Sequence, residues 1–289
     1  MKGRVKLAVS TALLGMSVSA NAGVIDLFST DQTKLSDTIA VNGGAPDGGL
    51  SSSVSSAGGD ILKAAGAAAG ERDLFVELLD NGGSNTRTAN IGVAGGVLDF
   101  SVDTLARGTG TVQWDGVDGS IALNPIGLQT AGVGVDLTAG GTLGGFGVTT
   151  LFSDAGYEFL VNAFTDATHW TSISFSAHAV PAGPPVTSFI PFAGFTNPFL
   201  CGAVNPAPNV NSITCSDALG APGGTQVVDF TNLGALELII DPNGGSIAVD
   251  LTLDQVTTVP EPSVLGLLGA GLLAGGIATR RARRGKSQA

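Results

Sequence analysis

The sequence predicts an all-β body, an antiparallel β-sandwich of jelly-roll type, and three observations predict it. Glycine contributes 44 of 289 residues, about twice its average share, which suits many short strands joined by tight turns. Apolar and polar residues alternate with a period of two in segment after segment, without a βαβ rhythm. Only 13% of the chain is charged while 43% is hydrophobic, a balance that excludes a wholly disordered chain.

The segments can be taken in order. From Gly23 to about Gly70 the pattern is loose, with Gly43-Gly44, Gly48-Gly49, a serine-rich stretch at Ser51 to Ser56, and Gly58-Gly59; turns are expected there. Ile61 to Ala69 is alanine-rich and is read as a short helix. Beyond Arg72 the period of two sets in. Leu98, Phe100 and Val102 alternate with Asp99, Ser101 and Asp103, and Ile173, Phe175 and Ala177 alternate with serines. The sharpest case sets Ile247, Val249, Leu251 and Leu253 against Ser246, Ala248, Asp250, Thr252 and Asp254, so that each strand has one face to bury and one to wet. Further strands are expected at Leu74 to Leu79, Thr111 to Trp114, Val133 to Leu137, Phe146 to Leu151, Tyr157 to Thr165, Thr187 to Phe192, Gln226 to Phe230 and Leu236 to Ile240. Asp241-Pro242-Asn243-Gly244-Gly245 reads as a hairpin turn joining the last two strands.

Charge is divided by segment. Lys2, Arg4 and Lys6 precede the first apolar run, and Arg280, Arg281, Arg283, Arg284 and Lys286 follow the last one. Between them stand five basic residues against all 24 acidic ones, a net −19, although the whole chain carries −11. Such a surface repels phosphate backbones, which argues against nucleic-acid binding and favours divalent cations or cationic polymer.

Residues 1–22 have the three parts of a secretory signal peptide: the basic start, an apolar stretch from Leu7 to Val18, and the small-residue ending Ala20-Asn21-Ala22. Cleavage is expected before Gly23. At the other end Val259-Pro260-Glu261-Pro262 leads into an apolar run, residues 264–278, and a basic tail, residues 280–286. Fifteen apolar residues as a helix extend about 22 Å, short of the roughly 30 Å hydrocarbon core, so a thin or transient transmembrane segment is expected. Cationic flanks stay on the cytoplasmic side, which places residues 23–260, including the passenger domain at 23–258, outside.

The ordered trio of Pro260-Glu261-Pro262, a glycine- and leucine-rich hydrophobic segment and the cluster Arg280, Arg281, Arg283, Arg284 resembles the PEP-CTERM sorting signal of Gram-negative bacteria. The resemblance implies recognition by exosortase, a membrane-embedded protease or transpeptidase with a cysteine nucleophile, which removes the tail near the Pro-Glu-Pro motif. It also implies association with exopolysaccharide, biofilm or the cell surface. A permanent single-span anchor in the inner membrane is the alternative. The pieces Glu71-Arg72-Asp73-Leu74, Val112-Gln113-Trp114-Asp115-Gly116, Asp166-Ala167-Thr168-His169-Trp170 and Asp229 to Glu237 look like segments of a recurring group of PEP-CTERM passenger domains. The closing strand up to Asp254 is similar to the end of galactose-binding-like carbohydrate modules, and that likeness transfers no binding residue.

Cys201 and Cys215 are the only cysteines, in a Pro/Asn-rich loop region from Pro198 to Pro222. An oxidising, exported setting makes them a disulfide.

The catalytic inventory is thin. His169 and His178 are the only histidines, nine apart across an expected turn, with no H-E-x-x-H pattern. No G-x-S-x-G elbow occurs. Gly285-Lys286-Ser287 imitates the end of a phosphate loop, but Arg280 stands where glycine is needed. Asp99, Asp103, Asp115, Asp118, Asp250 and Asp254 are enough for a carboxylate pair in glycoside hydrolysis, and their plainer reading is solvated strand faces and turns. The glycine-rich turn Trp114 to Ser120 makes Asp115 and Asp118 calcium candidates without EF-hand spacing; no other cofactor is indicated. Trp114, Trp170 and Tyr157 are stacking candidates for sugar rings, more often core residues in a sandwich. The expected role is that of an exported non-enzymatic surface or matrix protein processed by exosortase, with a carbohydrate-binding module or a polysaccharide hydrolase as alternatives.

Overall fold

Alternation along the strands decides the architecture. The computed structural model describes residues 23–38, 48–154, 156–246 and 248–261. The strands, in chain order, are β1 (Gly23–Asp26), β2 (Gln32–Asp37), β3 (Leu50–Ser56), β4 (Gly70–Asp80), β5 (Ala89–Ala94), β6 (Val97–Val102), β7 (Arg107–Trp114), β8 (Gly145–Ser153), β9 (Tyr157–Asp166), β10 (His169–Ala177), β11 (Val186–Pro191), β12 (Val204–Ala207), β13 (Val210–Cys215), β14 (Ala235–Ile240) and β15 (Asp250–Val259). A short helix, α1 (Phe192–Thr196), follows β11.

Two antiparallel sheets result. One runs β11-β8-β15-β6-β5-β2 with β1 also paired to β15, and the other runs β12-β13-β10-β9-β14-β7-β4-β3. Leu74, Val76 and Leu78 of β4, Val112 of β7 and Leu236, Leu238 and Ile240 of β14 share one core with Ile91, Phe100, Leu251 and Leu253 of the opposite sheet. The sandwich predicted from the period of two is therefore present, each sheet burying one face. Phe146, Phe192, Phe195 and Phe230 form an aromatic knot, with Phe192 stacked on Phe230 at 4.1 Å between ring centroids and Phe146 edge-on to both.

Several sequence expectations are corrected. Residues 61–69 form no helix: Ile61 bridges Asp26, the Leu62 amide donates to the Ile25 carbonyl, and Gly66 turns the chain with φ +78°. Val133 to Leu137 makes isolated bridges rather than a strand, Val135 with Leu233. A Cβ on Gly134 would sit 2.3 Å from the Leu233 carbonyl, so glycine is needed where this segment passes it. Gln226 to Phe230 buries Val228 and Phe230, but the Val228 and Asp229 amides donate to Thr171 and Thr165 side chains instead of a neighbouring strand.

The loose region before Gly70 holds three strands. β3 is a serine-rich edge strand beside β4, and serines on both faces leave no apolar alternation to read. The Pro/Asn-rich loop contains the β12–β13 hairpin, whose last residue is Cys215. The Cys201–Cys215 disulfide is formed, closing a loop of 14 residues' separation and stabilising by about 3 kcal/mol in the chain-entropy model.

Asp241 to Gly245 does turn, with Gly244 N–H donating to the Asp241 carbonyl at 2.9 Å, yet it joins no hairpin. β14 is already paired on both sides, by β7 and β9, so no edge is free for β15 and the chain crosses to the other sheet. There β15 runs on past Asp254 to Val259; register shifts at Thr252/Leu253 and Leu253/Gln255 interrupt the alternation that marks its first half.

Among the described residues the core holds one buried ion pair. Arg72 and Asp26 are both 0% exposed. Arg72 Nη1 donates to Asp26 Oδ1 at 3.0 Å and Oδ2 at 3.1 Å, Nε to Gln32 at 2.9 Å, and Nη2 to the Thr30 carbonyl at 2.6 Å. Asp26 also accepts from the Trp114 indole at 2.8 Å and the Phe28 amide at 2.8 Å. Removing one member strands the other charge away from water. Arg72→Met is expected to destabilise the protein by about 3–5 kcal/mol in a chemical denaturation curve; a loss below about 1 kcal/mol would show that the pair contributes little.

Candidate functional site

The same alternation that turns Arg72 inward turns its neighbours outward. Glu71 and Asp73 lie on the outer face of β4, opposite Ser55 and Ser53 of β3. On β7, Trp114 points inward, 1% exposed, so Gln113 and Asp115 flank it on the outer face. Past Trp114 the chain turns at Gly116, φ +99°, and folds back until Gly127 lies against Asp115. A Cβ on Gly127 would come within 1.5 Å of the Asp115 carbonyl oxygen, so only glycine permits this closure.

Three carboxylates meet under that loop, and a fourth, Asp115, lies near enough to feel their charge. One ligand oxygen each from Glu71, Asp73 and Asp118 lie within 4.8 Å of one another. Glu71 Oε1 accepts the amides of Asp118 at 2.8 Å and Gly119 at 2.7 Å, and Oε2 accepts the Ser55 hydroxyl at 2.8 Å. Asp115 Oδ2 accepts the Asn124 amide at 2.6 Å. Asp73 and Asp115 are 0% exposed, and both oxygens of Asp73 and Oδ1 of Asp115 have no hydrogen-bond partner. Burial pushes the Asp73 carboxyl up to about 7; the Ser53 hydroxyl opposes this, and the charges of Glu71, Asp115 and Asp118 add to it. Burial also pushes Asp115 up to about 6, against the Asn124 amide. Of the expected calcium candidates, Asp115 lies beside this group, while Asp118 groups with Glu71 and Asp73, residues that the sequence reading used only as part of a resemblance. Their i, i+2 spacing on a strand was the available signal.

A polar row continues from this cluster across the sheet. Cross-strand pairing aligns Ser53, Asp73, Gln113, Glu237, Asn162, Ser172 and Thr214, a line of roughly 29 Å at about 4.8 Å per strand. Gln113 Nε2 and Asn162 Nδ2 donate to the two oxygens of Glu237 at 2.7 and 2.8 Å. The buried Gln113 Oε1 has no partner.

Other sequence candidates fall elsewhere. Tyr157 is buried beside Thr150, its phenol pushed well up by burial, and lines an apolar cleft of about 710 Å³ at the open edge between β8, β11 and β9, β10. Trp170 is half-buried, its indole donating to the Gly220 carbonyl at 3.1 Å. The expected turn between the histidines is absent: His169 begins β10, paired with Asp166, and His178 follows its end. On the other sheet Asp99 accepts the Thr252 hydroxyl, Asp103 accepts Thr88, and Asp250 is pushed up by burial and by Asp154 and Asp103.

The two ends of the body meet. Gly23 pairs with Thr258, its amide donating to Thr258 Oγ1 at 3.1 Å. Val259 ends β15 paired to Gly145, and Pro260 and Glu261 follow directly. Ala20, Ala22, Pro262, the apolar run 264–278 and Arg280, Arg281, Arg283 and Arg284 lie outside the described residues. Among the described residues no helix is long and apolar enough to cross a membrane.

Residues 258–284 match the PEP-CTERM protein-sorting motif. The PEP-CTERM match begins at Thr258, the residue paired to Gly23. No curated protein matches the chain. Among solved structures, the chain is similar to the family 11 carbohydrate-binding module of cellulosomal cellulase Lic26A-Cel5E of Clostridium thermocellum, at 11% identity and TM-score 0.35, over 84% of this chain and 96% of that one. The family 11 module from Clostridium thermocellum in complex with a β-1,3-1,4-mixed-linked tetrasaccharide gives 9% identity and TM-score 0.32, over 75% and 97%. An exo-β-agarase gives 10% and 0.33, over 65% and 24%. Likenesses of this size say nothing about ligand.

The raised carboxyls have a measurable consequence. In the unfolded chain Asp73 ionises near 3.8, whereas the folded chain holds its proton to about 7, so between these values the folded state binds more protons. Its contribution is favourable at low pH and is lost as pH rises through that window. In chelator, the Tm of Asp73→Asn relative to wild type is expected to climb from pH 4 to pH 7; a constant difference would refute the shift.

Proposed function

We propose that this chain is an exported, non-enzymatic surface or extracellular-matrix protein whose C-terminal tail is processed by exosortase. The observation that carries this reading is the sorting motif over residues 258–284. The net −19 of the body and the signal-peptide pattern at residues 1–22 agree with it. In this reading the tail holds the body at the inner membrane until cutting near Pro260-Glu261-Pro262, after which the body joins the cell surface or matrix. Because Val259 is still in the β8–β15 ladder, the enzyme would have to work next to the folded sandwich with no spacer. Intact-mass measurement of the protein from producing cells tests this. The mature form is expected to begin at Gly23 and to lack residues 264–289, and cells without exosortase are expected to retain them. A wild-type mass that keeps residues 264–289 would make the tail a permanent anchor.

A second reading is carried by the accessible members of the polar row, Ser53, Asn162, Ser172 and Thr214. Amide and hydroxyl groups in line are donors and acceptors that sugar hydroxyls use, and the proposal here is binding of matrix exopolysaccharide along this face. Asp73, Gln113 and Glu237 are buried and support the row from below, so it is proposed as a binding surface and not as a hydrolase cleft. On this reading, exopolysaccharide retards the protein in an affinity gel and Asn162→Ala weakens the retardation without shortening the polymer. Unchanged mobility of wild type in every glycan tried would remove it.

A further inference from the structure

We propose that Glu71, Asp73, Asp115 and Asp118 form a binding site for one Ca2+ ion, which ties the loop after β7 to the start of β4. The inference stands apart from the export route.

The starting point is a cost. Buried carboxylates are normally hydrogen-bonded, and a charge held away from water without partners is strongly unfavourable. Asp73 has two such bare oxygens and Asp115 has one, all enclosed by the same loop closure. No basic side chain answers them. Arg72, the nearest in sequence, points to the other face of β4 and spends its donors on Asp26, Gln32 and Thr30. The only ion pairs among the described residues are Arg72 with Asp26 and His169 with Asp166. Neighbouring oxygens are held in place by amides: Asp118 and Gly119 fix Glu71, and Asn124 fixes Asp115 Oδ2. Both oxygens of Asp73 and Oδ1 of Asp115 remain uncommitted.

The chemistry of the donors selects the ion. They are all carboxylate oxygens, with no imidazole or thiolate among them, because both histidines lie on β10's ends and both cysteines are in the disulfide. Hard oxygen donors suit Ca2+ and Mg2+ rather than Zn2+ or Cu2+. The donor atoms of Glu71, Asp73 and Asp118 lie within 4.8 Å of one another, near enough for one cation at Ca–O distances of about 2.3–2.6 Å to reach all three. Mg2+ demands a regular octahedron and sheds its waters reluctantly, whereas Ca2+ accepts an irregular set of carboxylates. Exposed Asp118 supplies the side by which the ion enters.

The test titrates CaCl2, with MgCl2 in parallel, into the purified full chain after dialysis against chelator, by calorimetry and by thermal unfolding. Wild type is expected to bind one Ca2+ per chain with a rise in Tm, and Mg2+ to give a smaller one. Asp73→Asn is expected to be folded and more stable than wild type in chelator, and to lose both the heat and the Ca2+-dependent rise. Asp118→Asn, a change at an exposed position, is expected to weaken Ca2+ binding at least tenfold and serves if Asp73→Asn does not fold. Absence of Ca2+ binding by wild type overturns the proposal, as does undiminished binding in Asp118→Asn or in folded Asp73→Asn.

Discussion

The buried Arg72–Asp26 pair is the constraint on which the arrangement of this sandwich depends. Asp26 ends the first strand of one sheet, Arg72 begins the long β4 of the other, and the Trp114 indole of β7 closes on the same carboxylate. An ion pair enclosed on all sides tolerates little displacement, since each partner leaves the other uncompensated. It therefore sets how the N-terminal segment lies against the eight-stranded sheet. Phe28, under the guanidinium at 5.6 Å, and Gln32, passing the contact on to Ser52 of β3, extend the lock to the edge.

That inward lock and the outward acidic cluster are two faces of the same few residues. In Glu71-Arg72-Asp73 the central side chain must enter the core, and the pleat then directs both acids to the opposite face. In Trp114-Asp115 the indole goes in and the carboxylate out. The cation of this segment is consumed inside, so the acids outside have no local counter-charge. The loop from Gly116 to Gly127 then returns over them and removes them from water. Electrostatic tension at this site thus follows from the way the core is secured.

At the far end of the chain the body begins and ends at one place. Gly23 and Thr258 are ladder partners, and the sorting motif leaves directly from the strand that lies between β8 and β6. β15 is central to its sheet although it comes last in sequence. The seven-stranded sheet is incomplete until those residues are in place, which couples the closing of the fold to the segment that carries the address.

Much of this was legible in the residues alone, because it depends on local pattern. Strand character at β6, β9, β10 and β14 follows from alternation of apolar side chains, the disulfide from two cysteines in an oxidising setting, and the sorting motif from an ordered run of residue types. β3 was hidden because serine marks neither face, and the second half of β15 because register shifts erase the period. The helix expected at residues 61–69 gave way to tertiary pairing of Ile61 and Leu62 with β1. Only the folded chain decides which strands share a sheet, since pairing joins segments far apart and depends on which edges are already occupied: β14, flanked on both sides, sends β15 across to the other layer. For the same reason the acidic cluster was half visible. Asp115 and Asp118 are neighbours along the chain, whereas Glu71 and Asp73 join them through the ladder between β4 and β7, a contact that no local spacing encodes.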